Sequence, residues 1–190
     1  MQRKAVFIDR DGTLGGTGRG MHPDEFIFYP GVPSAIKQLN DANLLVFIIT
    51  NQARISRRLF SEIDLQRGME RLQRELNTYG AFFDDYFYCP HHENEGCDCR
   101  KPRPGLIRKA REEYPNINIE ESYVIGDLGE ADIKLGCTNS MKTILVLTGC
   151  GLKSMNENRH LWADYSPNHI ANNLEEAIKI ILKYTIKEES

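Results

Sequence analysis

The chain has 190 residues, 41% of them hydrophobic and 27% charged, with a net charge of −3. That length makes one domain over residues 1–190 and buries about 70% of the unfolded chain's surface. The charge excludes a global basic field for nucleic acid. No apolar run approaches the ~20 residues that span a bilayer, so neither a membrane nor a nucleic acid is expected as partner.

The first residues do not read as a signal peptide, and the expectation is a cytoplasmic setting. Ala5-Val6-Phe7-Ile8 is a strand too hydrophobic to face water on either side. It runs into Asp9-Arg10-Asp11-Gly12-Thr13, turning sharply at Gly12. The Leu14–Pro30 stretch is long for a loop in a compact domain, a length that tends to carry function. Its Gly15–Gly20 run lacks the Gly-Lys-Ser/Thr ending of a phosphate loop and reads as a lip over a pocket.

Leu44–Ile49 is a second buried strand, followed by Thr50-Asn51-Gln52. Ser61 begins a helix, with Asp64 completing a capping box. Leu65, Met69, Leu72, Leu76 and Tyr79 form its apolar stripe, and Gly80 stops it. Phe82–Tyr88 is a third strand, and a second long loop covers Cys89–Pro104. Pro104 opens a helix through Leu106, Ile107 and Ala110. Tyr123-Val124-Ile125 is a fourth strand, ending at Gly126-Asp127, and Ile144–Leu147 a fifth. Asn173 precedes a closing helix carrying Leu174, Ile178 and Ile181, and Lys187–Ser190 are expected to fray. This alternation implies an α/β fold, a parallel sheet with helices on both faces.

Ligands in open parallel sheets bind at the carboxyl ends of the strands. Asp9, Asp11, Thr50, Asn51 and Asp127 follow strands there, and Lys101 reaches the same rim by a detour. Asp9, Asp11 and Asp127 form a hard oxygen site that suits Mg²⁺ and a phosphate substrate. Without a cation, two such carboxylates ~4 Å apart repel by roughly 4 kcal/mol at an effective dielectric of 20. In this chemistry Asp9 attacks phosphorus and Asp11 protonates the leaving oxygen, then activates water. Thr50 and Asn51 bind the phosphoryl group, and Lys101 neutralises it. Arg54, Arg57, Arg58, Arg100 and Arg103 crowd one edge, with Arg57 and Arg100 the candidates to grip a second anionic group on the substrate.

Three of the five cysteines crowd into the second long loop. Cys89-x-His91 and Cys97-x-Cys99 can close a tetrahedron of three thiolates and one imidazole around structural Zn²⁺, over a loop spanning 89–99. His91 is the better imidazole, with His92 outside the set. Cys137 and Cys150 read as buried thiols, and His22, His160 and His169 as surface loop residues.

Asp9-Arg10-Asp11-Gly12-Thr13 resembles the first motif of the haloacid dehalogenase (HAD) superfamily, Thr50 its second, Lys101 its third, and Gly126-Asp127 with Asp132 its fourth. The resemblance covers nearly the whole chain. It implies a Rossmann-like three-layer fold, Mg²⁺ dependence and phosphoryl transfer through Asp9. It also implies that Asp11 reaches the metal through its backbone carbonyl, leaving its side chain free. With Cys89-Pro-His-His…Cys97-Asp-Cys-Arg-Lys-Pro, the motifs resemble the histidinol-phosphate phosphatase branch, whose members lack a large cap domain. That branch includes the heptose-bisphosphate phosphatases.

Two departures mark this chain. Heptose-type enzymes carry Thr-Asn-Gln-Ser-Gly-Ile-Ala-Arg-Gly after strand two, whereas here Arg54 and Arg58 stand for the glycines. They usually have Lys after the motif-four aspartate, and here it is Leu128. The expectation is a monomeric phosphomonoester hydrolase acting on a small phosphorylated metabolite, a sugar phosphate or a bisphosphate like heptose 1,7-bisphosphate. The alternatives are a histidinol-phosphate phosphatase and, in another class, a zinc-containing nucleic-acid adaptor without catalysis.

Overall fold

The computed structural model describes residues 2–188. Strand β1 (Ala5–Asp9) is buried along its length. Successive side chains point to opposite faces, so Ala5 and Phe7 enter one core and Val6 and Ile8 the other. Strand β2 (Leu45–Asn51) repeats the division, with Leu45, Phe47 and Ile49 against Val46 and Ile48. Both faces are covered, which is why these strands read as unbroken apolar runs.

With β3 (Asp85–Cys89), β4 (Tyr123–Gly126), β5 (Lys142–Val146) and β6 (His169–Ala171), they form a parallel sheet in the order β3-β2-β1-β4-β5-β6 among the described residues. Helices α1 (Val32–Asp41), α2 (Glu62–Asn77) and α6 (Leu174–Glu188) pack on the Val6 face. Helices α3 (Gly105–Glu113) and α4 (Lys134–Thr138) pack on the Phe7 face through Leu106, Ile107, Ala110 and Leu135. A short α5 (Gly151–Asn156) follows β5. The three-layer α/β expectation holds. No helix among the described residues is long and apolar enough to cross a membrane.

Several expected boundaries move. The third strand starts at Asp85, not Phe82. Asn40 of α1 takes the Phe82 main chain instead, accepting its N–H at 3.0 Å and donating to its carbonyl at 3.0 Å. Asp84 then accepts the Val46 N–H through its side chain at 2.7 Å. The fifth strand is Lys142–Val146, and Leu147 lies just past it while its N–H still donates to Ala171 O of β6 at 2.9 Å. The Ser61–Asp64 capping box is present, but α2 ends at Asn77, so Tyr79 lies beyond the stripe and is exposed. Helix α1 is absent from the elements expected above, although Val32, Ala35, Ile36 and Leu39 have helical spacing.

Cys137 and Cys150 are half-buried rather than buried, and His169 opens β6 instead of lying in a loop. Of the residues expected to fray, Lys187 and Glu188 continue α6, while Glu189 and Ser190 lie outside the described residues.

The stretch after β1 folds back on itself. Gly15 bridges Phe28, Tyr29 donates to Leu14 O at 2.9 Å, and Leu14, Phe26 and Phe28 are buried. Arg71 of α2 fastens this flap by donating to Pro23 O at 3.2 Å and Phe26 O at 2.5 Å. Gly68 lets α2 approach it, since a Cβ there would lie 2.5 Å from Pro23 Cβ.

Candidate active site

The chain winds outward from β1 to β3, then crosses back so that β4 lies on the other side of β1. The carboxyl ends of β1 and β4 therefore flank the crevice where such sheets bind ligands. Asp9 ends β1 and Asp127 follows β4, both buried. Asp132 joins them from a π-helical turn, Gly129–Ile133. One carboxylate oxygen from each of the three lies within 4.8 Å of the others.

Lys101 enters this cluster from the end of the cysteine loop. Its Nζ donates to Asp9 Oδ1 at 2.6 Å, Asp132 Oδ1 at 2.7 Å and Ile49 O at 3.1 Å. All three ammonium protons are thus placed. Burial alone would depress this lysine, but Asp132 and Asp9 outweigh it and hold the ammonium above its ordinary range.

The carboxylates move the other way. Burial raises Asp9 to about 7, against the pull of Lys101 and with the repulsion of Asp132 and Asp11 added. Burial raises Asp127 to about 9, reinforced by Asp9 and Asp132, although the Cys150 N–H donates to its Oδ2 at 2.7 Å. Asp9 Oδ2 and Asp127 Oδ1 are buried with no hydrogen-bond partner among the described residues. Three acids around one ammonium, with two orphaned oxygens, fit a hard divalent cation.

Asp11 stands apart. Its carboxylate lies outside that set and accepts from Gln52 Nε2 at 2.7 Å, Arg10 Nη1 at 3.1 Å and Thr50 Oγ1 at 3.4 Å, all on Oδ2. Thr50 Oγ1 in turn accepts from Gln52 Nε2 at 2.7 Å. Asn51 does not aim its amide at the acids. Its Nδ2 and Oδ1 are both committed to the main chain of Lys101. Asn51, expected as a phosphate ligand, lines the cleft beside Thr50, and both polar atoms of its amide hold the main chain of the lysine.

Asp9, Asp11, Thr50 and Lys101 line a cleft of about 330 Å³, whose rim carries Arg19, Arg54, Arg57 and Arg100. Arg58 and Arg103 do not line it, and Arg103 bonds the Cys97 carbonyl instead. Glu130 also stays outside the acid cluster, accepting from Ser154 Oγ at 3.4 Å.

Cys89, His91, Cys97 and Cys99 converge as expected from their spacing. Cys89 Sγ lies 3.5 Å from Cys97 Sγ and 3.6 Å from His91 Nδ1, which lies 3.2 Å from Cys99 Sγ. Three sulfurs and an imidazole at these separations could hold a tetrahedral soft metal such as zinc. His92 is not in the set, and its Nε2 lies 3.1 Å from Arg57 Nη2.

The site uses residues to which the motifs gave no role. Gln52 and Arg10 hold Asp11, and Arg19 comes from the Gly15–Gly20 lip. For Arg10 and Gln52 the available signal is position, as each follows the last residue of a buried strand.

A HAD-hydrolase-like family model matches residues 98–177. The chain is 40% identical over 168 residues to the D-glycero-beta-D-manno-heptose-1,7-bisphosphate 7-phosphatase of Haemophilus ducreyi, covering 84% of this chain and 91% of the relative. It is 34% identical over 183 residues to the enzyme of the same name from Escherichia coli K12, covering 92% and 93%. Among solved structures it resembles a D,D-heptose 1,7-bisphosphate phosphatase from B. bronchiseptica complexed with magnesium and phosphate. That likeness has a TM-score of 0.85 at 29% identity and covers 95% of this chain and 99% of that one.

Proposed function

The chain belongs to the heptose-1,7-bisphosphate 7-phosphatase family of HAD-like hydrolases, and from that premise we propose that it releases one phosphate from a sugar bisphosphate through an aspartyl-phosphate on Asp9. The observation that carries this reading is the Asp9 carboxylate. One oxygen is fixed by Lys101, and the other is buried, unpartnered and beside the cleft.

Asp9 Oδ2 attacks phosphorus, the ester P–O bond breaks, and the leaving oxygen takes the proton of the Asp11 carboxyl. Water then attacks the aspartyl-phosphate, passing a proton back to Asp11 as the bond to Asp9 breaks. The products are a free hydroxyl and inorganic phosphate. Lys101 and the Thr50 hydroxyl face the transferring group and oppose its charge. Asp9, Asp127 and the main chain of Asp11 would hold Mg²⁺, with Asp132 at the edge of the set. Bound there, the ion supplies charge neutralisation and polarises a phosphoryl oxygen.

Arg57 and Arg100 at the rim take the second phosphate. Cys89, His91, Cys97 and Cys99 would hold zinc as a structural brace, closing the 89–99 loop that delivers Lys101. A single domain acting as a monomer in the cytoplasm completes the reading, where a reducing medium keeps the thiols available to a metal. Three acids arranged about one ammonium favour a hydrolase over a nucleic-acid adaptor.

The test is phosphate release from sugar monophosphates, sugar bisphosphates and histidinol phosphate, with and without Mg²⁺. The bisphosphates should turn over fastest and only with Mg²⁺. Asp9→Asn should be inert throughout, and turnover surviving in that variant removes the nucleophile assignment.

A further inference from the structure

Arg10 separates the two aspartates at the end of β1, and its side chain is fully buried. A buried guanidinium is costly unless it is paired. Its partner is Asp11, with Nη1 at 3.1 Å from Oδ2 and 3.4 Å from Oδ1. Nε and Nη2 have no hydrogen-bond partner among the described residues. The rest of the group lies over Phe26, with Cζ 4.2 Å from the ring centroid. Phe26 is itself immobilised, being buried and tied through its carbonyl to Arg71. A buried guanidinium stacked on one side and held through Nη1 by a carboxylate on the other has little freedom to turn.

The Asp11 carboxylate inherits that rigidity. Gln52 Nε2 and Arg10 Nη1 converge on Oδ2, while Oδ1 carries only the long contact to Arg10. Arginine and glutamine do not exchange protons at working pH. They can therefore fix a carboxyl without competing for the proton it transfers.

We propose that Arg10 is a positioning residue for Asp11: with Gln52 it anchors Oδ2 and presents Oδ1 to the leaving oxygen. This rests on the reading of Asp11 as the group that protonates that oxygen. When the P–O bond breaks, the Oδ1 proton moves to the departing alkoxide and the O–H electron pair remains on the carboxylate. A displacement of about 1 Å in such a group can cost about 10²-fold in rate.

The test compares leaving groups in the Mg²⁺-loaded enzyme. A sugar alkoxide needs the proton, whereas p-nitrophenolate departs without it. Because the water step is common to both substrates, the comparison is read in kcat/KM, which ends at formation of the aspartyl-phosphate: Arg10→Met should lower it on the sugar bisphosphate by about 10²-fold and on p-nitrophenyl phosphate by less than about tenfold. Arg10→Lys, which keeps a donor, should recover part of the sugar-phosphate rate. Equal losses on both substrates would overturn the proposal, because a merely structural arginine has no reason to distinguish them. Asp11→Asn separates the two levels. If Asp11→Asn discriminates between leaving groups and Arg10→Met does not, the positioning role falls alone. If Asp11→Asn does not discriminate either, the proton-donor reading falls and takes this inference with it. Should Arg10→Met fail to fold by circular dichroism, Gln52→Leu removes the companion donor, and its leaving-group ratio decides in the same two directions.

Discussion

Asn51 grips the main chain of Lys101 at both of its polar groups, accepting its N–H at 3.0 Å and donating to its carbonyl at 3.1 Å. The amide at the end of β2 thereby fixes the main chain from which the ammonium reaches Asp9. This contact joins the sheet to the cysteine loop. Asn51→Ala should lower kcat by about 10²-fold, the order expected when a charge-bearing group is misplaced by about 1 Å. If Asn51 works only through the lysine, Asn51→Ala should add nothing in a Lys101→Met background. A further loss of activity in the double variant would refute the clamp.

Asp132 should matter for stability as well as turnover. The Lys101 ammonium is buried between Asp9 and Asp132, and removing one partner leaves charge uncompensated in the interior. Breaking such a pair costs roughly 3–5 kcal/mol. Asp132→Ala should lose stability on that order in urea unfolding. Lys37→Ala, which breaks an exposed pair with Asp41, should lose under about 1 kcal/mol. Comparable losses in the two variants would mean that the buried pair is not holding the site together.

How much of this was legible depended on whether a signal was local. The strands β1, β2 and β4 announced themselves because burial on both faces leaves no polar position in Ala5–Ile8, Leu45–Ile49 or Tyr123–Ile125. The Cys89–Cys99 set was legible because ligand spacing within a short loop constrains geometry. Asp132 was ambiguous, because five residues beyond Asp127 a π-helical turn decides which way it points. Gln52, Arg10 and the Asn51 clamp depend on side-chain directions across strands, which no linear pattern encodes. The start of β3 escapes the linear pattern for the same reason. Phe82 and Phe83 look like strand residues, but the side chains of Asn40 and Gln73, 42 and 10 residues away, take their main chain.

The raised carboxylates set the sign of a pH effect on the protein without added Mg²⁺. Asp9 titrates at about 7 and Asp127 at about 9 in the fold, both above the ordinary 3.8. Between those limits the native state holds protons that the unfolded chain has released. Stability is therefore fully present below about pH 4 and is lost as pH rises through about 7 and then about 9. The melting temperature should fall from pH 5 to pH 9, and saturating Mg²⁺ should flatten the fall, since a cation offsets the ionised acids. Asp127→Asn should shrink the slope above pH 7. A slope that does not respond to Mg²⁺ or to Asp127→Asn would dissociate these acids from the effect.

The cysteine loop makes a separate prediction, read as metal content. Cys97→Ser or Cys99→Ser should reduce bound zinc, measured by elemental analysis, from near stoichiometric to trace. Turnover should fall with it, because the same loop ends at Lys101. Cys137→Ser should leave both unchanged, as Cys137 lies outside the cluster. Zinc retained without Cys97 and Cys99 would show that the loop is not its site.

Gly12 links the turn after β1 to the buried acid cluster through sheer proximity. Its φ is +99°, a conformation that L side chains rarely adopt, and a Cβ there would lie 2.1 Å from Asp127 Oδ2. Gly12→Ala must therefore move the turn, Asp127 or both. Gly20 offers a matched control in the flap. Its φ is +71°, so the backbone strain is shared, but its Cβ would meet only the Arg54 side chain, at 3.2 Å from Nε. Both variants should lose about 1 kcal/mol or more from backbone strain. Only Gly12→Ala should also raise the Mg²⁺ concentration giving half-maximal activity, by at least about tenfold if one oxygen ligand is displaced. An unchanged Mg²⁺ dependence in folded Gly12→Ala would mean that the turn yields and Asp127 stays in place, and would refute the link between this glycine and the metal.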